Sequence, residues 1–349
     1  MAESTQALAE YVLHRADPTD DPTRAQVLAD AASEAGDLKL VAAALDRAFG
    51  LAPHLADIAA GRAAALDALA IKEHGLIFRY VPTGTFSMGS PHGDLDEQPV
   101  HPVLAGGFWL SDTPVSWDAY CRLMGWEPPA ASGRPANAQS FALSQETKIR
   151  LQYCEAAEAG DFDRKPMVAV SWQSAEELAE RLSTAGVQYG LPTEAEWEKA
   201  ARGGLLARRY SWGDEPPDNE RCDFGHFGEF VIRPPRELPP NGYGLHGMCG
   251  GVSEWTSDVY DALAYHPRRP PAAPGAPQLR VLRGGSFTDD AAAVTVSFRM
   301  ALTSSNWRTA LPRTGRHESP NIGFRLVRRE GALPEPKPRS WLRKLFGKG

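Results

Sequence analysis

The sequence is poor in cysteine, in long apolar runs and in basic charge, and each shortage removes a class of protein. Its four Cys stand at 121, 154, 222 and 249 in 349 residues, with neither a CxxC pair nor the density of a disulfide scaffold. Buried free thiols are the expectation. No run approaches the ~18 apolar residues of a membrane span. The opening MAESTQALAEYVLHRADPTDDP has neither the basic nor the apolar region of a signal peptide, so a cytoplasmic location is expected. Lys and Arg number 37 against 44 Asp and Glu, for a net charge of -7. No basic groove with interleaved aromatics is visible, which argues against nucleic acid as a partner.

Other shortages are local. All nine Trp lie after residue 108, and only seven of the 32 Gly and 29 Pro fall within residues 1–75. That front segment carries 12 acids against six bases, and its apolar residues recur at helical spacing. Leu8, Tyr11 and Val12 form one stripe, ended by Asp17-Pro18. Asp21 before Pro22 reads as an N-cap with proline at the first helical position. Leu38, Val41, Leu45 and Phe49 form a stripe closed by Gly50, and Leu55, Ile58, Leu66 and Leu69 form another. Residues 1–75 are thus expected to be a four-helix module, either a docking domain or a cap on the body. Residues 76–330 form that body, and 331–349 a Pro-rich spacer with a basic amphipathic tail.

The body opens with the alternating strand Leu76–Val81, and Pro82-Thr83-Gly84 turns it into Phe86–Ser90 as a first hairpin. Ser116 caps a helix with Trp117, Tyr120, Cys121 and Met124 on one face, and residues 127–140 read as an exposed insertion. Ser174 with Glu177 is read as a capping box for a helix reaching Ser183. Thr193 with Glu196 is a second, for a helix that buries Trp197 and stops at Gly203-Gly204. The charges on that helix, Glu194, Glu196, Glu198, Lys199 and Arg202, are read as a solvated face.

Four blocks stand in fixed order across about 250 residues: Val81–Ser90, Gly190–Gly204 (GLPTEAEWEKAARGG), Asn241–Asp258 (NGYGLHGMCGGVSEWTSD), and Arg280–Phe287 (RVLRGGSF), answered by Asn321–Val327 (NIGFRLV). Their order resembles the formylglycine-generating enzyme, or sulfatase-modifying-factor, family over Leu76–Arg329. The resemblance implies an α+β fold: a loop-rich, C-type-lectin-like body, here with a small all-α N-terminal module. It also implies structural calcium. Asn219 and Asp223 lie in the loop that helps bind one ion in family members. Gly250, Val252 and Glu254 fall where carbonyls and a carboxylate hold another, although this chain has Gly251 and Ser253 where the family has Asn and Trp. That site persists with fewer ligands or is an empty turn.

Copper is a sharper test. The resemblance places two Cu(I)-binding thiolates a few residues after RGGS, five apart, and here those positions fall near Asp289 and Val294. Soft Cu(I) selects thiolates, which a carboxylate or an aliphatic side chain cannot replace. Oxidation of cysteine to formylglycine is therefore not expected, and copper is not an expected cofactor. Iron-dependent sulfoxide synthases of the same fold use an HxxxHxE motif on a helical domain. His14, His54 and His74 match neither its spacing nor its acid.

The remaining candidates are scattered. His226, His246, Cys249 and His317 would form a metal cluster only if loops gathered them, and His101 stands alone. Asp289 and Asp290 would point to opposite faces of a strand. The segment before NIGFR supplies Arg299, Asn306, Trp307, Arg308, Arg313, Arg316 and His317, and Trp and Arg dominate binding hot spots, so these are read as a recognition face at the mouth of the cleft. The expected function is a non-catalytic ligand- or protein-binding module recognising a protein or peptide through this face. The alternative is a divergent oxidase acting on a peptide or small molecule without the thiolate site. In the tail, Trp341, Leu342, Leu345 and Phe346 share one helical face beside Arg343, Lys344 and Lys348, which suits an anionic membrane surface or a partner's groove.

Overall fold

Small side chains build the first layer. In the computed structural model, which describes residues 22–34, 36–125, 164–168, 170–226, 231–267, 278–303 and 321–330, helices α1 (Pro22–Glu34), α2 (Leu38–Leu51) and α3 (Ala56–Ala68) pack in sequence order. Asp37 caps α2 by accepting the Leu40 N–H at 3.1 Å. Val41, Ala42, Ala43, Ala44, Leu45 and Ala48 are all buried, so α2 sits closely between its neighbours. The expected helix at residues 3–16 lies outside the described residues.

One arginine fastens this module to the body. Arg62 of α3, 3% exposed, donates to Asp46 Oδ1 (2.8 Å), to the Gly242 carbonyl (2.7 Å) and to the Gly203 carbonyl (2.9 Å). Its guanidinium lies over the rings of Phe49 and Tyr243, 4.4 and 4.7 Å from their centroids. Tyr243 completes the clasp by donating to Asp46 Oδ2 at 2.8 Å. The body backbone comes so close that a Cβ at Gly242 would lie 2.3 Å from the Gly203 oxygen, which only glycine allows.

The larger sheet has the order β1-β2-β5-β11-β6, from β1 (Ile71–Glu73), β2 (Leu76–Val81), β5 (Phe108–Ser111), β11 (Val327–Glu330) and β6 (Val187–Gly190), antiparallel throughout. β1 pairs Ile71 with Phe78, so a hairpin straddles residue 75. The alternation in β2 is real, with Leu76, Phe78 and Tyr80 buried. Its partner differs from the sequence expectation. β2 does not fold back on β3 (Gly84–Met88), which pairs instead with β4 (His101–Ala105) as a separate ribbon.

A four-stranded sheet of order β10-β7-β8-β9 contains β7 (Ser253–Val259), β8 (Leu279–Arg283), β9 (Arg299–Thr303) and β10 (Ile322–Gly323), with only β10 and β7 parallel. Ser116 caps α4 (Trp117–Met124) as expected. In α5 (Trp172–Leu182) the cap is Ser171 rather than Ser174, three residues earlier than the capping-box pattern suggested. In α6 (Glu194–Ala201) both halves of the Thr193/Glu196 capping box are formed. One apolar core runs from Leu45 and Leu66 in the module through Phe78, Trp117 and Trp197 to Trp255 and Phe324.

Candidate functional site

Helix α6 carries its charges inward, contrary to the solvated face read from its composition. It packs against β3, β4, β7 and β8, which leaves Glu194 at 5%, Glu198 at 0%, Lys199 at 4% and Arg202 at 6% exposure. Buried charges need hydrogen bonds or a counter-charge, and these have them. Glu198 Oε1 accepts from the Gly89 N–H (2.8 Å) and from Arg202 Nη2 (2.6 Å), while Oε2 accepts from Arg283 Nη2. Burial acts to raise the Glu198 pKa, but Arg202 and Arg283 outweigh it and hold the carboxyl below its ordinary range. Lys199 Nζ donates to the carbonyls of Pro82 (2.5 Å) and Gly84 (2.9 Å), and burial, against a smaller opposing effect of Asp46, brings its pKa down to about 8.

Arg299 belongs to this network and not to an exposed recognition face. Its Nε donates to Glu194 Oε1 (2.5 Å) and its Nη2 to Glu194 Oε2 (3.1 Å), its side chain is 0% exposed, and its guanidinium covers the Tyr265 ring at 4.5 Å. Its place in β9 opposite Arg283 turns it inward toward α6. The other expected recognition residues, Asn306, Trp307, Arg308, Arg313, Arg316 and His317, lie outside the described residues, as do the 127–140 insertion and the tail.

Beside this network opens a cavity of about 500 Å³, within the range typical of ligand pockets. Ser87, Ser90, Glu97, Arg202, Thr295 and Ser297 are among its lining residues, with Ala292 at the rim. Arg202 offers no free charge, since its nitrogens also serve the Gly89 and Arg208 carbonyls. Arg208 is paired with Asp214 at 2.5 Å. Glu97 is the distinctive group. It is 3% exposed, Oε1 accepts from the Asp94 N–H at 3.2 Å, and Oε2 is buried without a hydrogen-bond partner. Burial raises its pKa against the smaller opposing effect of the neighbouring Ser297 hydroxyl.

The segment after RGGS runs from Ser286 to the cavity residues Ala292, Thr295 and Ser297. Asp289 Oδ2 accepts from the Ser286 hydroxyl (2.6 Å) and the Ser286 N–H (2.8 Å), and Asn321 Nδ2 donates to Ser286 Oγ (3.0 Å) and Thr288 Oγ1 (3.2 Å). Val294 is fully buried in the main core. The expected copper positions thus hold a carboxylate occupied in a turn and an aliphatic side chain, and neither fits Cu(I). Cys222 and Cys249 are buried elsewhere, their thiols pushed up to about 12 and about 11 by burial, which keeps them protonated at neutral pH.

The two carboxylates among the expected calcium ligands have guanidinium partners. Asp223 is gripped by Arg233, whose Nε donates to Oδ1 (2.7 Å) and whose own N–H donates to Oδ2 (2.8 Å), and Arg233 Nη2 takes the Asn219 carbonyl (2.7 Å). Glu254, 0% exposed, receives Arg325 Nε on Oε2 (2.6 Å), Arg325 Nη2 on Oε1 (2.8 Å) and the Trp197 indole N–H (2.8 Å). The Gly250 N–H donates to the Gly284 carbonyl (2.9 Å), and the Val252 side chain packs with Val168, Ile232 and Phe287.

The His226, His246 and Cys249 grouping does not form. Among the described residues the grouping able to hold a metal ion is Asp94, Asp96 and Glu97. His246 Nδ1 lies 2.7 Å from the Leu238 carbonyl, and burial lowers its pKa. His101 packs on Tyr265 with its Nδ1 3.0 Å from the Pro99 carbonyl. Sequence reasoning missed Glu97, Thr295 and Ser297 as cavity residues. The only signal was the acidic Asp94–Glu97 run, which composition cannot tell from a solvated loop.

The family model for the sulfatase-modifying factor enzyme 1-like domain matches residues 74–330. The chain belongs to this formylglycine-generating-enzyme-like family. It is 32% identical over 290 residues to the formylglycine-generating enzyme of Streptomyces coelicolor, covering 70% of this chain and 87% of that one. It is 34% identical over 292 residues to inactive C-alpha-formylglycine-generating enzyme 2 of Bos taurus, covering 73% and 88%. Among solved structures, Treponema denticola variable protein 1 superposes with a TM-score of 0.54 at 19% identity, covering 74% of this chain and 97% of that one. The fold is thus the C-type-lectin-like α+β fold of this family, preceded here by helices.

Proposed function

We propose that this family member is a non-catalytic binding module that holds a protein or peptide ligand at the cavity beside the 286–297 segment. The observation that carries the reading is the donor set after RGGS. Asp289 is committed to the Ser286 turn and Val294 to the core, while an open, hydroxyl-lined cavity of about 500 Å³ takes Ala292, Thr295 and Ser297 of the same segment into its lining. A polar cavity with one buried carboxyl can orient a ligand without any redox chemistry. The 34% identity to a relative named as inactive supports the same reading. We propose Trp307 and Arg308 as further hot-spot residues from their residue types and from their place in the sequence before Asn321, whose side chain touches Ser286 and Thr288.

The test has two arms. With copper, oxygen and a sulfatase-type cysteine peptide, mass spectrometry is expected to find the cysteine unchanged; an aldehyde would overturn the proposal in favour of the divergent oxidase. In a peptide-display selection, enriched binders are expected to be lost by Ala292→Trp, which fills the rim, and weakened at least tenfold by Trp307→Ala with Arg308→Ala. Binding indifferent to all three substitutions would place recognition elsewhere.

A further inference from the structure

We infer that Arg233 is the resident cation of the 218–226 loop, so that the loop and the 287–289 turn it holds are organised without calcium. Asp223 is a carboxylate whose side chain is only 3% exposed, and a buried anion needs a counter-charge. The guanidinium supplies it, collecting Asp223 Oδ1 and the Asn219 carbonyl, each at 2.7 Å, while the Arg233 N–H takes Oδ2 at 2.8 Å. A calcium ion asks for about six to eight oxygens at about 2.3–2.6 Å. Here both Asp223 carboxylate oxygens and the Asn219 backbone carbonyl already accept from N–H donors, and a divalent ion at the same face would meet a fixed positive charge.

The second expected calcium place obeys the same rule. Both Glu254 oxygens face the Arg325 guanidinium, which also donates to the carbonyls of Ser111 (3.0 Å) and His246 (3.0 Å). One guanidinium has gathered a carboxylate and two carbonyls, an oxygen set of the kind a hard cation would collect.

Arg233 matters to the site because its loop stitches three segments together. The Asp223 carbonyl accepts the Gly251 N–H (2.9 Å), and a Cβ at Gly250 would lie 2.4 Å from that oxygen. On the other side, the Gly225 N–H donates to the Asp289 carbonyl (2.7 Å) and the His226 N–H to the Phe287 carbonyl (2.8 Å). Arg233 is therefore a positioning residue for the 287–289 turn, which leads along the chain to the cavity residues Ala292, Thr295 and Ser297. The inference holds whether that cavity binds or catalyses.

The test uses the full chain with calcium, terbium and EDTA as probes. Wild-type Tm is expected to be the same in EDTA and in millimolar calcium, with no calcium-competable terbium luminescence. Arg233→Gln is expected to unfold about 5 °C or more lower, and Arg233→Lys, which keeps the charge but not the fork, to recover part of the loss. A wild-type Tm that falls in EDTA and returns with calcium would overturn the inference, as would an Arg233→Gln protein as stable as wild type. Should Arg233→Gln fail to fold, the EDTA comparison and the Lys variant decide.

Discussion

Replacing Glu198 by Gln keeps the shape of the side chain and removes its charge, which isolates one of the fully buried ion pairs of the body. In the wild type, Glu198 faces Arg202 at 2.6 Å and also takes Arg283 Nη2, with Glu198 and Arg283 both 0% exposed. Breaking one side of a buried pair costs about 3–5 kcal/mol, because the partner remains buried and uncompensated. Arg283 keeps donors on the Ser297 (2.6 Å) and Val296 (2.9 Å) carbonyls and has Glu194 at 3.5 Å, so the lower end, about 3 kcal/mol, is expected. For a body of this size that is a fall of roughly 6–12 °C in Tm, and urea denaturation should show a lower midpoint at unchanged m. The pH dependence gives a second check. The folded carboxyl is held below its usual 4.5, so its stabilisation is complete above about that pH and lost as pH falls through the folded value. The wild-type and variant curves should therefore converge in acid. A variant within about 0.5 kcal/mol of wild type at pH 7, with a parallel pH profile, would refute the assignment of Glu198 as the hub.

Arg62→Leu should cost about 3 kcal/mol, because it leaves the Asp46 carboxylate and the Gly203 and Gly242 carbonyls short of donors; limited proteolysis should show cleavage between module and body that the wild type resists. Glu97→Gln should stabilise the protein at neutral pH, because a carboxyl whose folded pKa is raised costs stability as pH climbs through its unfolded value. That gain should vanish below about pH 4 in thermal unfolding, and a gap independent of pH would show that Glu97 is not the titrating group.

Local features were legible where the signal was local. The Thr193/Glu196 capping box formed as its spacing required, and the β2 alternation reported its buried face. At α5 two serines three apart competed for the cap, and Ser171 won, with Ser174 donating its N–H to Ser171 Oγ at 3.1 Å. Pairing was not legible, since β2 takes β5 rather than the adjacent β3, and β11 inserts from the end of the chain between β5 and β6. The charges of α6 were misread for the same reason. Their partners, Arg283 and Arg299, lie 85 and 105 residues further on, and no pattern within a helix distinguishes a carboxylate that meets water from one that meets a distant arginine. Glu97 escaped notice because its distinction is burial, a tertiary property.

The order of the sequence blocks acquires a physical meaning from these pairs. Glu198 of the GLPTEAEWE block binds Arg283 of RGGSF, and Glu254 of the central stretch binds Arg325 of NIGFR. Trp197, next to Glu198, joins the two pairs by donating its indole N–H to Glu254 at 2.8 Å. A Cβ at Gly284 would meet the Trp197 ring at 2.9 Å, so the glycines after Arg283 make room for the same contact. The blocks therefore encode two buried ion pairs and the tryptophan between them, which is framework. A framework of buried charge penalises the loss of any one member, because each deletion strands its partner in the core. It places no such demand on positions 289 and 294, which lie outside both pairs. That separation lets the framework of the four blocks stand while positions 289 and 294 hold a carboxylate in a turn and a valine in the core.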